Sequence, residues 1–257
     1  MDKNDLKEII NKFASQNVIF SNEQDFQFRL AIELRNYGYV VEVEKLSIGQ
    51  PWSCFGTNLP TKLPEKEYTD IVVKDKNGQY TAIELKYATP SKVCYYDMKP
   101  NPVITVQQGG YTYRRYWYIN DIMRLENINN KFGKLGQNQI TNSFAIMLSN
   151  DSSYYNKDPR KIWKNYSIKD GSCLGGLLMF DINGKGQDKY KTGKQTFSAI
   201  NLKGQYNLKW EKYELDWYQS GQNKYNKKTC PEFKYLIVEI DNNNIGNKQH
   251  QINSGCE

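Results

Sequence analysis

The chain has 257 residues, 39% of them hydrophobic, which is enough to bury a sizeable core as one elaborated domain or a domain with an appendage. With 35 basic against 28 acidic residues its net charge is +7, a balance that favours a polyanionic partner, while the single histidine, His250 in a polar tail, leaves no support for a histidine base or an H-E-x-x-H zinc site. The five cysteines are scattered with no C-x-x-C pair, which speaks against structural zinc, an iron–sulfur cluster or a disulfide framework and for a reducing cytoplasm.

In chain order, Leu6, Ile9, Ile10 and Phe13 recur at helical spacing within a charged stretch, so residues 3–14 read as an amphipathic helix rather than the apolar core of a signal peptide. No apolar run reaches the length of a membrane span, and the expectation is a soluble cytoplasmic protein without membrane contact. A second helix is predicted over 22–37, with Ser21 as its cap, Gln24 at capping-box spacing, Phe26, Leu30, Ala31 and Leu34 inward, and Gly38 as its stop. Glu23 stands over the inward face of its first turn, four residues before Gln27. There it either complements the helix dipole or reaches a site beyond the helix end. Val41 and Val43 alternate with Glu42 and Glu44, which predicts a strand over 39–47.

The next predicted element carries the chemistry. Tyr68 to Val73, the turn Asp75-Lys76-Asn77-Gly78 and Thr81 to Lys86 read as a β-hairpin over 68–86. Asp at the first turn position and Gly at the fourth fit a type I turn closed by a left-handed glycine, a three-residue loop. Counting back from it sets Asp70 opposite Glu84, with Lys86 on the same face by the period of two. A two-residue Asn77-Gly78 turn would instead send the two carboxylates to opposite faces. Because Ile71, Val72, Val73, Ile83 and Leu85 surround the charges, these strands read as central and covered on both sides. Two acids brought together in such a setting need a cation, and Mg²⁺ takes one or two carboxylates plus waters and phosphate oxygens.

At these residues the chain resembles the PD-(D/E)XK nuclease superfamily, with Asp70, Glu84 and Lys86 at the motif positions and Thr69 in place of the motif's proline. The resemblance implies a restriction-endonuclease-like α/β core, ordered α-β-β-β-α-β as a mixed sheet flanked by helices. It implies Mg²⁺- or Mn²⁺-dependent hydrolysis of nucleic-acid phosphodiester bonds. Asp70, Glu84 and the Leu85 carbonyl would hold the ion, Glu23 would be a further ligand, and Lys86 would position or activate the attacking water. DNA is the expected substrate ahead of RNA, in restriction, defence or mobile-element biology. A junction resolvase or repair nuclease, which would require a homodimer, and a non-catalytic nucleic-acid-binding protein on the same fold are the rivals.

Residues 49–67 and 87–110 are proline-containing connections that enter Asp70 and leave Lys86, and they are expected to rim the site. Tyr111, Tyr118, Ile122 and Leu125 predict a helix over 111–128. It mixes Arg114 and Arg115 with aromatic rings, and Asp121 and Arg124, three apart, read as a surface pair. With Gln27, the arginines Arg114, Arg115 and Arg124 are the substrate-binding candidates. A strand follows at 143–148, which completes a nuclease core over 1–150. Strands at 174–182, 206–216 and 233–241 make a strand-rich extension over 151–241, packed on the core or acting as a recognition lobe, before a polar tail at 242–257. The basic stretches Lys157 to Lys164 and Lys185 to Lys194 read first as solvated loop charge.

Overall fold

Two capped amphipathic helices open the chain in a computed structural model that describes residues 1–46, 68–89, 94–96, 103–105, 111–129, 139–215 and 232–243. In α1 (Lys3–Ser15) a capping box between Asp2 and Asp5 starts the helix, and Leu6, Ile9, Ile10 and Phe13 are buried. In α2 (Glu23–Asn36) the cap is Asn22 rather than Ser21. Its side chain accepts from the Asp25 amide at 2.8 Å, and the Asp25 carboxylate accepts from the Ser21 amide at 2.9 Å, so Asp25 takes the part expected of Gln24.

The strands β1 (Val40–Leu46), β2 (Tyr68–Lys74) and β3 (Tyr80–Ala88) follow. The connection between β2 and β3 is the three-residue loop that its residues dictate. Asp75 and Gln79 close it through a 3.0 Å bond from the Asp75 amide to the Gln79 carbonyl, the Asp75 side chain accepts from the amides of Asn77 and Gln79, and Gly78 has φ +80°. The register pairs Lys74 with Tyr80 and Ile71 with Ile83, so the next positions across are Asp70 and Glu84.

A short ladder of β4 (Cys94–Tyr96) and β5 (Val103–Thr105) precedes α3 (Tyr111–Glu126) and β6 (Ile140–Ser149). Beyond them come α4 (Ser152–Asn156), a 3₁₀ turn (Lys161–Tyr166), β7 (Cys173–Leu178), β8 (Phe180–Ile182), β9 (Lys185–Gln187), β10 (Lys189–Thr192), β11 (Gln195–Ser198), β12 (Ile200–Asn207), β13 (Trp210–Lys212) and β14 (Lys234–Asp241). The other predicted segments, 49–67 and most of 87–110 as rims of the site and the end of the tail with His250, lie outside the described residues.

One six-stranded mixed sheet organises the molecule, in the order β1-β2-β3-β6-β14-β13, with β3 and β6 parallel and the other neighbours antiparallel. The helix α3 is the crossover that a parallel pair requires. The described residues beyond 150 therefore contribute two strands to the central sheet itself; of the others, Tyr154, Trp163, Tyr166, Phe180 and Phe197 pack on its α3 side and Tyr213, Leu215 and Phe233 on its α1–α2 side. Alternation along the strands divides the core. Ile71, Val73, Ile83, Leu85, Tyr87, Phe144 and Ile146 pack with α1 and α2, while Val72, Ala82, Ala88, Ala145 and Met147 pack with Ile119, Ile122 and Leu125 of α3. At about 1.5–3 kcal/mol for each large side chain removed from water, these two layers dominate the stabilisation.

Cysteine spacing carries no information about proximity in space, and the expectation against disulfide bonding is corrected at Cys173, which is disulfide-bonded. The compartment argument loses that support. Among the described residues no helix is long and apolar enough to cross a membrane.

Candidate active site

The two-residue period that sends Ile71, Ile83 and Leu85 toward α2 sends Asp70, Glu84 and Lys86 toward α3. Asp70 Oδ2 accepts from the Leu85 amide at 2.7 Å, a bond that fixes the carboxylate against β3. Lys86 Nζ donates to the Leu85 carbonyl at 2.9 Å and lies 2.8 Å from Asp121 Oδ2 and 3.7 Å from Glu23 Oε1. Arg124 places Nη2 3.2 Å from Glu84 Oε1 and Nη1 3.2 Å from Asp121 Oδ1, and it also donates to the Tyr68 carbonyl at 2.5 Å.

Glu23 reaches the site from the first turn of α2. Its Oε2 accepts from the Tyr87 amide at 2.9 Å and lies 3.9 Å from Arg114, which itself donates to the Tyr87 carbonyl at 2.6 Å. The sequence left Glu23 between a dipole partner and a site residue, and its contacts are with the end of β3.

Two of the predicted substrate contacts have internal partners instead. Gln27 is buried, and its amide nitrogen donates to the Asp70 carbonyl and to Glu44 Oε1, each at 2.8 Å, so it positions the backbone of Asp70. Arg115 is buried on another face of α3, where it donates to the carbonyls of Ser153 and Lys157 and lies over the Tyr154 ring. Consecutive residues on a helix point about 100° apart, so Arg114 meets the site and Arg115 does not.

Asp121 is the residue that the sequence reading misplaced. It does pair with Arg124, but with 4% exposure it is buried, and it bonds Lys86 as well. Glu44, also missed, has a left-handed φ of +51° inside β1 and supplies the second acceptor for Gln27. A non-glycine residue in that region marks local strain, which concentrates at functional sites.

The electrostatics follow from desolvation. Burial pushes the Asp70 carboxyl up to about 6, against the opposing pull of Lys86 and the Leu85 amide. Burial pushes Glu84 well above the usual carboxylate range, with repulsion from Asp121 and Asp70 added and Arg124 and Lys86 opposing. The Lys86 ammonium moves the other way: burial alone would lower it, and Asp121, Glu23 and Asp70 together raise it. Lys86 is thus held as a cation. For Asp70 the folded value exceeds the ordinary 3.8, so the folded chain binds this proton more tightly than the unfolded one. The resulting stabilisation is complete below about pH 4 and is lost as pH rises through about 6. Asp70→Asn is therefore expected to match wild type in thermal melts near pH 4 and to exceed it above pH 6, by up to about 2–3 kcal/mol. Equal gaps at both pH values would contradict this.

The same uncompensated negative charge suits a hard divalent ion. The Asp70 and Glu84 carboxylates and the Leu85 carbonyl are all oxygen donors and adjoin one another across β2 and β3, which fits Mg²⁺ or Mn²⁺ completed by water. Among the described residues no three acidic, histidine or cysteine side chains gather into a metal-holding group. Glu23 lies 3.7 Å from Lys86 and adds its charge to that of the acids beside Asp70. The comparisons with protein-family models, curated proteins and solved structures find no match to this chain.

Proposed function

We propose that this chain is a metal-dependent nuclease that hydrolyses DNA phosphodiester bonds on a restriction-endonuclease-like core. The observation that carries the reading is the juxtaposition, on one face of β2 and β3, of two desolvated carboxylates with a lysine held as a cation. Arg124 and Arg114 stand at the same end of the sheet. Hydrolysis of a phosphodiester requires a deprotonated water in line with the leaving oxygen and neutralisation of charge on the phosphorus oxygens. Asp70, Glu84 and the Leu85 carbonyl would hold Mg²⁺ or Mn²⁺, which supplies an acidified water and charge neutralisation when bound.

The chain's own groups do the rest. Lys86 presents a fixed positive charge to the phosphorus oxygens and to the water. Arg124 and Arg114, each with partners at the strand ends, can exchange those carboxylates and carbonyls for phosphate oxygens, to which guanidinium binds bidentately. The net charge of +7 favours a nucleic-acid backbone. Incubating supercoiled plasmid, linear duplex, single-stranded DNA and RNA with the chain, with and without Mg²⁺, tests the class. Mg²⁺-dependent cleavage of DNA is expected. Cleavage that survives chelation would reject the metal site, and no cleavage of any substrate would favour a nucleic-acid-binding protein that retains the fold.

A further inference from the structure

Asp121 is absent from the motif that defines the site, yet its contacts make it central to the site's charge balance. It lies on the inward stripe of α3 between Tyr118, Ile122 and Leu125, all fully or nearly fully buried, where an aspartate is costly unless it is paired. One oxygen is 2.8 Å from Lys86 Nζ and the other 3.2 Å from Arg124 Nη1, so a single carboxylate holds both cations that flank Asp70 and Glu84. The connected group comprises four carboxylates, Glu23, Asp70, Glu84 and Asp121, and three cations, Lys86, Arg114 and Arg124.

With all of them ionised one negative charge is in excess, and Asp121 supplies it. If Asp121 were neutral, the three cations would balance Glu23, Asp70 and Glu84 alone, and the site would lose its attraction for a divalent ion.

We infer that Asp121 is a positioning residue of this site: by holding Lys86 and Arg124 it keeps Asp70 and Glu84 available to a divalent cation and keeps the Lys86 ammonium aimed beside them. The inference rests on the functional reading above and adds to it a residue outside the motif. It makes the two cations part of one unit with α3, so the crossover helix is a component of the catalytic apparatus rather than only a cover for the sheet.

Calorimetric titration of the full chain with Ca²⁺, a hard oxygen-seeking probe, tests it alongside plasmid cleavage in Mg²⁺. Asp121→Asn is expected to bind Ca²⁺ about tenfold more weakly, the effect of one buried unit charge moderated by its cationic neighbours. It is also expected to cut the cleavage rate constant by about thirtyfold or more with less than a threefold change in the DNA concentration at half-saturation. The double variant Lys86→Met, Asp121→Asn restores the charge balance and is expected to recover Ca²⁺ affinity to within about threefold of wild type while remaining inactive. A merely structural Asp121 would not give that recovery. Wild-type Ca²⁺ affinity in Asp121→Asn, or no recovery in the double variant, overturns the inference while leaving the nuclease reading intact. Should Asp121→Asn fail to fold, the double variant, which removes both halves of the pair, decides the matter by the same criterion. A wild-type chain that neither binds Ca²⁺ nor cleaves any substrate would overturn the functional reading first, and this inference with it.

Discussion

Glu84→Gln is expected to lower Mg²⁺-dependent DNA cleavage on the order of 10³-fold while raising the melting temperature of the metal-free protein above neutral pH. The two effects have one cause. Glu84 is 3% exposed, faces the carboxylates of Asp70 and Asp121, and has Arg124 at 3.2 Å as a cationic partner. Ionising it there costs stability, which glutamine avoids while conserving shape and one acceptor oxygen for Arg124. The same substitution removes one of the two acidic ligands available to an ion, and with it the charge stabilisation of the transition state. Arg124 keeps its contact with Asp121, so the substitution leaves no orphaned cation. A more stable and inactive variant is the pattern of a site whose strain serves function. A less stable, fully active variant would mean that Glu84 is an ordinary buried ion-pair partner.

The largest loss of stability is expected from Glu126→Ala, about 3–4 kcal/mol in urea unfolding. Glu126 is buried at the end of α3 and accepts from the Lys203 amide at 2.9 Å, the Gly204 amide at 2.7 Å and the Tyr206 hydroxyl at 2.8 Å. The two amides are free to donate because the pairing of β12 with β7 shifts register between Leu202 and Gln205. Alanine would leave these donors, partly covered by α3, without their acceptor, and the crossover helix would lose its grip on β12. Because α3 also carries Asp121 and Arg124, the loss should reach the site. Glu126→Gln, which keeps one acceptor, should cost clearly less than alanine. Equal costs for the two substitutions would show that the carboxylate's hydrogen bonds carry none of the stability.

Much of this arrangement is legible in the sequence where the physics is local. The Asp75-Lys76-Asn77-Gly78 turn fixes its own loop length, and the loop length fixes the register that sets Asp70 beside Glu84. Helical spacing delimits α1, α2 and α3 to within two residues. What fails are statements about which polar residue faces inward. Asp121 sits three residues after Tyr118 and four before Leu125, in the middle of the apolar stripe, and that position was the signal for a buried carboxylate. Its proximity to Arg124 suggested a surface pair instead. Arg115 and Gln27 carry the right chemistry for phosphate, but only the packing of α3 on α4 and of α2 on β2 reveals that Arg115 Nη2 and the Gln27 amide nitrogen already donate inside the protein. The placement of β14 between β6 and β13 depends on pairing across some ninety residues, which no local pattern encodes.

The central claim is that Asp70, Glu84 and Lys86 act as one metal-dependent hydrolytic site. Its most direct test is the rate of plasmid nicking by the wild type and by Lys86→Ala, each at saturating Mg²⁺ and after chelation. The wild type should nick DNA only with the metal, and Lys86→Ala should be slower on the order of 10²-fold or more while keeping its Ca²⁺ affinity or gaining some. Nicking by Lys86→Ala at the wild-type rate would contradict it.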